Sequence, residues 1–536
     1  MGERSSSTTR GFAILSLAGI LSKILSLLYV PILISIIGRE GYGIYAKTYE
    51  VFTFFYALTN IGMPIAIAKY VSELTALGQH RDANRAFKIS RTVLLFTGTI
   101  ATIILMSCAK LIAYKTDNPN ILYGVMALAP AVAITSVLGA YRGYFQGKNL
   151  MTPIAISTVL EQFINTAVSI LGAFFLIKYG VEMGSAGGTI GTSIGALIAV
   201  YFLIYVYMKR RLDVEAIRLD VSKKRTKTSV IVKKILKYGF PITLSAGMQN
   251  FGVLVDMFNV NSRLLVAGFQ NSQTDTLYGI LGCYKSLLYV PLTIILALAT
   301  AVLPAVTKAF ILKDKKGLKD NLIFTIRISF AIAIPCAVAF SVLSKEIYVV
   351  LYNSIKGYEL MLFGSAVVVF MAMVQIQSTV LQSINKFYFL IGSLTIGIVL
   401  KIVCNYLLVS IPAINIYGAV IGGAVCFLIP MILNHRKICS TVKVKISLLK
   451  LLIKPSISSA IMALVLFSGV FLFKVIGLKL ESRMTTIIPF AILVALGGFS
   501  YLFVMIYIGG VKKKEIESVS PKVLKLIPRF MKKFLK

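Results

Sequence analysis

Runs of about twenty apolar residues follow one another along almost the whole 536-residue chain, and this recurrence leaves few folds open. A helix at ~1.5 Å rise per residue needs about that length to cross ~30 Å of hydrocarbon. By that criterion about fourteen runs can be drawn, at 11–37, 43–68, 92–114, 121–145, 153–177, 187–208, 239–268, 277–306, 322–343, 360–384, 389–411, 417–433, 455–475 and 487–508. Lipid offers the backbone no hydrogen-bond partners, so spans of this length are read as helices. With 57% hydrophobic and 14% charged residues the chain exceeds what a soluble core requires. The expected fold is an all-α polytopic membrane protein.

The net charge of +36 would suit a nucleic-acid binder, but its distribution argues otherwise. With both termini placed in the cytoplasm, about 42 of the 56 Lys and Arg fall on the inner side and about 9 on the outer. This is the bias of a multi-pass protein of the cell membrane, and no nucleic-acid partner is expected. The dense inner segments are 209–237, which contains KKRTK, then 308–319, 435–454 and the tail. The start, MGERSSSTTR before an apolar run, resembles a signal peptide. The run is long and lacks a small-residue cleavage site, so it reads as a retained first span. Beyond Lys512, Val523, Leu524, Ile527 and Phe530 recur at helical spacing opposite lysines, which predicts an amphipathic tail on the inner surface.

Several chemistries are excluded by what the sequence lacks. The six cysteines are scattered without CxxC pairing, and His80 and His435 fall in basic loops, so neither a metal site nor another cofactor is expected. There is no GxxxxGK[ST] loop to drive transport by ATP hydrolysis. The longest inner loop is short and basic, with no paired-carboxylate constellation, so the chain does not read as an enzyme.

Against this apolar background the run 239–268 stands out, because it carries Asp256 and Arg263 where hydrocarbon should be. Seven residues is nearly two helical turns, so both charges share a face with Gln249 and Asn259. An intramembrane charge costs at least a few kcal/mol, so that face must meet protein or water. Two readings stand: an ion pair, Asp256 with Arg263 or with another helix, that locks the bundle, or the polar lining of a translocation path. Lys23, about twelve residues into the first run, lies near the midplane with no acid within a turn. Lys285 lies in the eighth run, and Lys47 with Glu50 near the outer end of the second, where snorkelling would account for Lys47. Lys23, Arg263 and Lys285 together would make a positive interior suited to a phosphate-bearing ligand.

A weak internal repeat organises the chain. YFQGKN at 144–149 corresponds to LQSINK at 381–386; Glu161 and Asn165, four apart, correspond to Lys401 and Asn405. These four residues are secondary candidates for the path. The expected division is an N-terminal six-helix lobe at 1–208, a basic cytoplasmic loop at 209–237, a second six-helix lobe at 238–435, a helix pair at 436–510 and a basic amphipathic tail at 511–536. Repeats of this kind place substrate sites at their interface.

Four stretches carry a family resemblance: GREGYGIYAKTYEVF (38–52), NIGMPIAIAKYVSE (60–73), YRGYFQGKNLMTPIAISTVLEQF (141–163) and KIVCNYLLVSIPAINIYGA (401–419). Together they resemble the sporulation-type polysaccharide biosynthesis proteins of the multidrug, oligosaccharidyl-lipid and polysaccharide exporter superfamily, alongside the lipid II flippases. The resemblance implies two lobes around a V-shaped central cavity and transfer of undecaprenyl-pyrophosphate-linked sugars from the inner to the outer leaflet. It places Lys23, Lys285 and Arg263 among the basic residues of that cavity. The chain departs from the lipid II flippases at Tyr29, where they carry another Arg, and at Asn165, where a basic residue is frequent in relatives. Expected partners are a lipid-linked oligosaccharide and membrane lipids, with the monomer as the working unit and no coupling ion identified. The rival is a cation-coupled multidrug exporter using Glu161 and Asp256; a polyprenyl-sugar polymerase or transferase is a third reading.

Overall fold

The computed structural model describes residues 2–220, 225–477 and 482–510, all in helices and short connections. The amphipathic tail expected at 511–536 and the first two lysines of KKRTK lie outside the described residues. In chain order the helices are α1 (Gly2–Asn60), α2 (Gly62–Ala76), α3 (His80–Lys115), α4 (Leu122–Gly147), α5 (Met151–Leu176), α6 (Val181–Lys209), α7 (Leu212–Arg218) and α8 (Thr228–Val266). They continue as α9 (Asn271–Ile311), α10 (Lys315–Val342), α11 (Ser344–Tyr352), α12 (Tyr358–Gly364), α13 (Val367–Ser383), α14 (Phe387–Leu408), α15 (Ile416–Val442), α16 (Leu448–Val475) and α17 (Arg483–Tyr507).

Eleven described segments are long and apolar enough to cross a membrane, or up to twelve with the bent pair α12 and α13, which meet at 56°. The expected count of about fourteen differs for two physical reasons. One segment, Leu21–Ala76, is 56 residues long, about 84 Å at ~1.5 Å per residue and far beyond a bilayer. It is interrupted inside α1 at Gly38 (φ 71°, ψ −177°), in backbone space that a side chain would strain. The second reason is α8, whose polar residues keep it out of the apolar set although all 39 of its residues are helical. Every apolar run drawn from the sequence nevertheless falls on helix. The run at 43–68 is corrected in that α1 gives way to α2 at Ile61, and the run at 360–384 in that it bends between α12 and α13.

The chain forms two compact units. The first comprises 1–282 with 387–419, the second 283–386 with 420–536. In the first, α3, α4 and α6 enclose an aromatic core in which Phe87 stacks on Tyr144 at 4.5 Å and meets Tyr207 at 5.3 Å. Tyr141, Tyr144 and Phe145 are all buried here, so the RGYFQG motif that carries the family resemblance is a packing motif. Along α1 a ladder of rings at helical spacing, Tyr42, Tyr45, Tyr49, Phe52 and Tyr56, keeps successive centroids 5.4–5.8 Å apart.

In the second unit two tyrosines repair broken helices. Pro335 in α10 has no N–H to offer the carbonyl of Ala331, and Tyr501 Oη of α17 donates to it at 2.7 Å. Where α12 ends at Gly364, the freed carbonyl accepts from Tyr284 Oη at 2.8 Å. Arg483, opening α17, donates to the last carbonyls of α11, at 2.9 Å to Val350 and 2.5 Å to Leu351. In hydrocarbon each such group would otherwise cost several kcal/mol.

Candidate functional site: charged seams inside the first unit

The polar face of α8 lies against α14. Asp256 Oδ2 is 2.8 Å from Lys401 Nζ, and both side chains are almost wholly enclosed. Lys401 also donates to the carbonyl of Gly252 at 3.0 Å, and Asn405 Nδ2 donates to Asp256 Oδ1 at 3.0 Å. One turn further along, Asn259 donates to the carbonyl of Ile402 at 3.0 Å. A further turn on, the Arg263 guanidinium lies 4.2 Å above the ring of Tyr406. Contacts advance along both helices together, so α8 and α14 run parallel. The sequence left open whether Asp256 pairs with Arg263 or across helices, and the partner is Lys401.

This arrangement is what the energetics demand. An isolated buried carboxylate or ammonium is costly, and the cost is recovered only when a partner and further hydrogen bonds complete the group. Asp256 and Lys401 complete each other, whereas Asn405 Oδ1 is enclosed without a partner among the described residues. Arg263 is part-exposed and has no carboxylate partner among the described residues, so its charge stays available beyond the ring it stacks on. Gln249 is part-buried on the same helix.

The remaining predicted residues stand elsewhere. Glu161 on α5 pairs with Arg142 of α4 at 2.7 Å, and Arg142 also reaches Ser157 at 3.2 Å. Asn165 Oδ1 accepts from Ser169 at 3.1 Å and Thr192 at 3.5 Å. Lys23 on α1 is exposed, with no ion pair among the described residues. Lys285 is part-buried and belongs to the second unit. Tyr29 is buried, and its hydroxyl donates to the carbonyl of Gly188 at 2.7 Å, a structural contact between α1 and α6.

A second charged seam was not read from the sequence. Lys47 is fully enclosed, so snorkelling does not describe it: Nζ is 2.6 Å from Asp275 Oδ1 at the start of α9 and also donates to Asn261 Oδ1 of α8. Asn118, in the turn after α3, donates to the same Asp275 oxygen at 2.6 Å. Asn261 Nδ2 donates to the carbonyl of Thr116, and Tyr278 Oη donates to Glu50 Oε2. The approach is possible because α1 and α9 touch through glycine. A Cβ on Gly43 would sit 1.8 Å from the carbonyl oxygen of Asp275, and one on Gly279 would sit 2.2 Å from that of Arg39. The readable signal was Gly43 four residues before Lys47 and Gly279 four after Asp275.

These helices, with eleven described segments long and apolar enough to cross a membrane, define a polytopic helical membrane fold. The chain belongs to the polysaccharide biosynthesis protein family, whose pattern it matches over residues 8–310. Over 95% of its length it is 25% identical to the lipid II flippase MurJ of Bacillus subtilis (strain 168), covering 97% of that protein. It is also 25% identical to stage V sporulation protein B of the same organism, over 82% of this chain and 85% of that one. Among solved structures, an inward-facing multidrug resistance MATE family transporter of the MOP superfamily aligns with a TM-score of 0.63 at 18% identity, covering 78% of this chain and 95% of the other. The lipid II flippase MurJ in an inward closed conformation aligns at 0.60 and 16% identity, covering 92% and 98%. The fold is therefore the one these solved membrane proteins share.

Proposed function

We propose that this protein moves an undecaprenyl-pyrophosphate-linked oligosaccharide, lipid II or a related cell-wall or polysaccharide precursor, across the cytoplasmic membrane by alternating access. The observation that carries this reading is the near full-length relationship to a lipid II flippase. Counting both sides of Gly38, the polar helix α8 and the bent pair α12 and α13 as spans would give fourteen, with both termini cytoplasmic, a reading that the charge bias supports. The two six-helix lobes of the sequence repeat would enclose the path. Lys23, Arg263 and Lys285 would accompany the pyrophosphate, Arg263 through its fork and the lysines as mobile charges. Gln249 and Asn259 would meet the sugars, while the polyprenyl tail stays in lipid.

The rival, a cation-coupled multidrug exporter, needs a carboxylate for a cationic drug. Its two candidates are each held by a base at short range, Glu161 by Arg142 and Asp256 by Lys401, which supports the anionic cargo instead. Transport of labelled lipid II by the purified protein in proteoliposomes separates these readings. Flipping without covalent change is expected; drug–proton exchange without lipid II movement would establish the exporter.

A further inference from the structure

The ring ladder of α1 lies on the side of that helix away from the Lys47 seam. Lys47 stands two residues from both Tyr45 and Tyr49, about 200° round the helix from each, so the rings look away from Asp275 and α9. Tyr42 and Phe52 are buried, whereas Tyr45, Tyr49 and Tyr56 keep part of their surface open. Helix α5 is divided in the same way. Its large exposed residues, Ile156, Phe163, Leu171 and Phe174, share one face, and Phe163 stands two residues from both Glu161 and Asn165. The opposite face is a polar stripe of Thr158, Glu161, Gln162, Asn165 and Ser169.

Ladder and stripe face one another. Glu161 acts electrostatically on the hydroxyls of Tyr49 and Tyr56, and Arg142 acts on that of Tyr56. The Tyr49 hydroxyl also meets Thr192 of α6, which donates to Asn165. Glu161 lies about ten residues into α5, ~15 Å from its start and at the depth of the hydrocarbon. The side chains of Arg142 and Glu161 are nevertheless 22% and 24% open. Charges at that depth cannot face lipid, so they open onto a polar hollow inside the first unit. What lines the hollow identifies its occupant. An anion would need a surplus of base and a cationic drug a surplus of acid, and the Arg142–Glu161 pair supplies neither. Flat rings on one side and hydroxyls and amides on the other suit a neutral ligand with an apolar face and a polar edge. A pyranose has that form, with C–H bonds on its face and hydroxyls around its rim.

We propose that the sugar of the lipid-linked cargo stacks on Tyr45, Tyr49 and Tyr56 while its hydroxyls bond to Glu161 and Asn165. This rests on the cargo assigned above and adds the part of the site that reads the carbohydrate. Binding of lipid II and of bare undecaprenyl pyrophosphate to the full-length protein in bilayer discs separates sugar from anion. The parent should hold lipid II more tightly. Tyr49→Leu should remove about fivefold of that advantage, the worth of one ring contact, and leave the affinity for the bare lipid unchanged. Tyr49→Phe keeps the ring and should restore most of the advantage. Tyr56→Leu, at a second rung, should act as Tyr49→Leu does, so the test survives a Tyr49 variant that fails to fold. Equal affinity of the parent for the two lipids, or a loss that falls alike on both, would overturn the sugar site and leave the pyrophosphate carrier in place. A parent that binds neither lipid would overturn the cargo itself and this site with it.

Discussion

Lys47 and Asp275, 228 residues apart in sequence, meet at 2.6 Å with neither side chain open to solvent. Four segments converge on this contact: α1, the turn after α3, α8 and the start of α9. Asp275 Oδ2 is enclosed without a hydrogen bond among the described residues, so the acid depends on its other oxygen for compensation.

Removing the lysine strands that acid. Lys47→Ala should cost about 3–5 kcal/mol, the penalty of an uncompensated buried charge. The double variant Lys47→Met/Asp275→Leu should recover most of it. Thermal unfolding of the purified variants in one detergent measures both. A Lys47→Ala midpoint equal to the parent's would show that water reaches the pair.

The Asp256–Lys401 contact predicts a charge-swap result. Asp256→Ala or Lys401→Ala alone should lower the unfolding midpoint and transport, and Asp256→Lys/Lys401→Asp should regain part of both. The expected coupling is about 0.5–3 kcal/mol, the range for contacting residues. Strict additivity in the cycle would mean that the two groups act separately.

Lys23→Ala or Arg263→Ala should abolish flipping of labelled lipid II while membrane insertion and unfolding midpoint stay close to the parent's. Lys110→Ala, an exposed lysine on α3, should be silent. Arg263→Lys should rescue incompletely, because an ammonium keeps the charge but loses the planar fork. Normal transport by both alanine variants would remove these residues from the path.

Tyr501→Phe should cost about 1–2 kcal/mol by leaving the Ala331 carbonyl unpaired. In a Pro335→Ala background the restored amide can take that carbonyl, and the same change should cost less than about 0.5 kcal/mol. The unfolding midpoints of the four proteins decide it. Equal costs in the two backgrounds would mean the hydroxyl matters for another reason.

The helices were legible because hydrophobic run length maps directly onto span length, and all fourteen runs fall on helix. The polar face of α8 was legible too, since Gln249, Asp256, Asn259 and Arg263 recur at helical spacing. Partners were not legible. Lys401 lies 145 residues beyond Asp256, and periodicity within one helix carries nothing about which helix lies opposite. Lys47 was misread for a related reason: near a span end, hydropathy gives the same pattern for a lysine that reaches water and one that finds a carboxylate. Asp275 opens a helix and Asn118 sits in a turn, positions where polar residues are routine.

The seam around Lys47 also constrains how the protein is made. At about 5–20 residues per second, the ribosome reaches Asp275 roughly 10–45 s after Lys47. Until then the lysine lacks Asp275, and until shortly before then Asn261 as well, while Glu50, three residues on along the same helix, is the acid within reach. Biogenesis therefore passes through a stage in which the first helices are already threaded but cannot yet settle, and the nascent chain must be sheltered until α9 emerges.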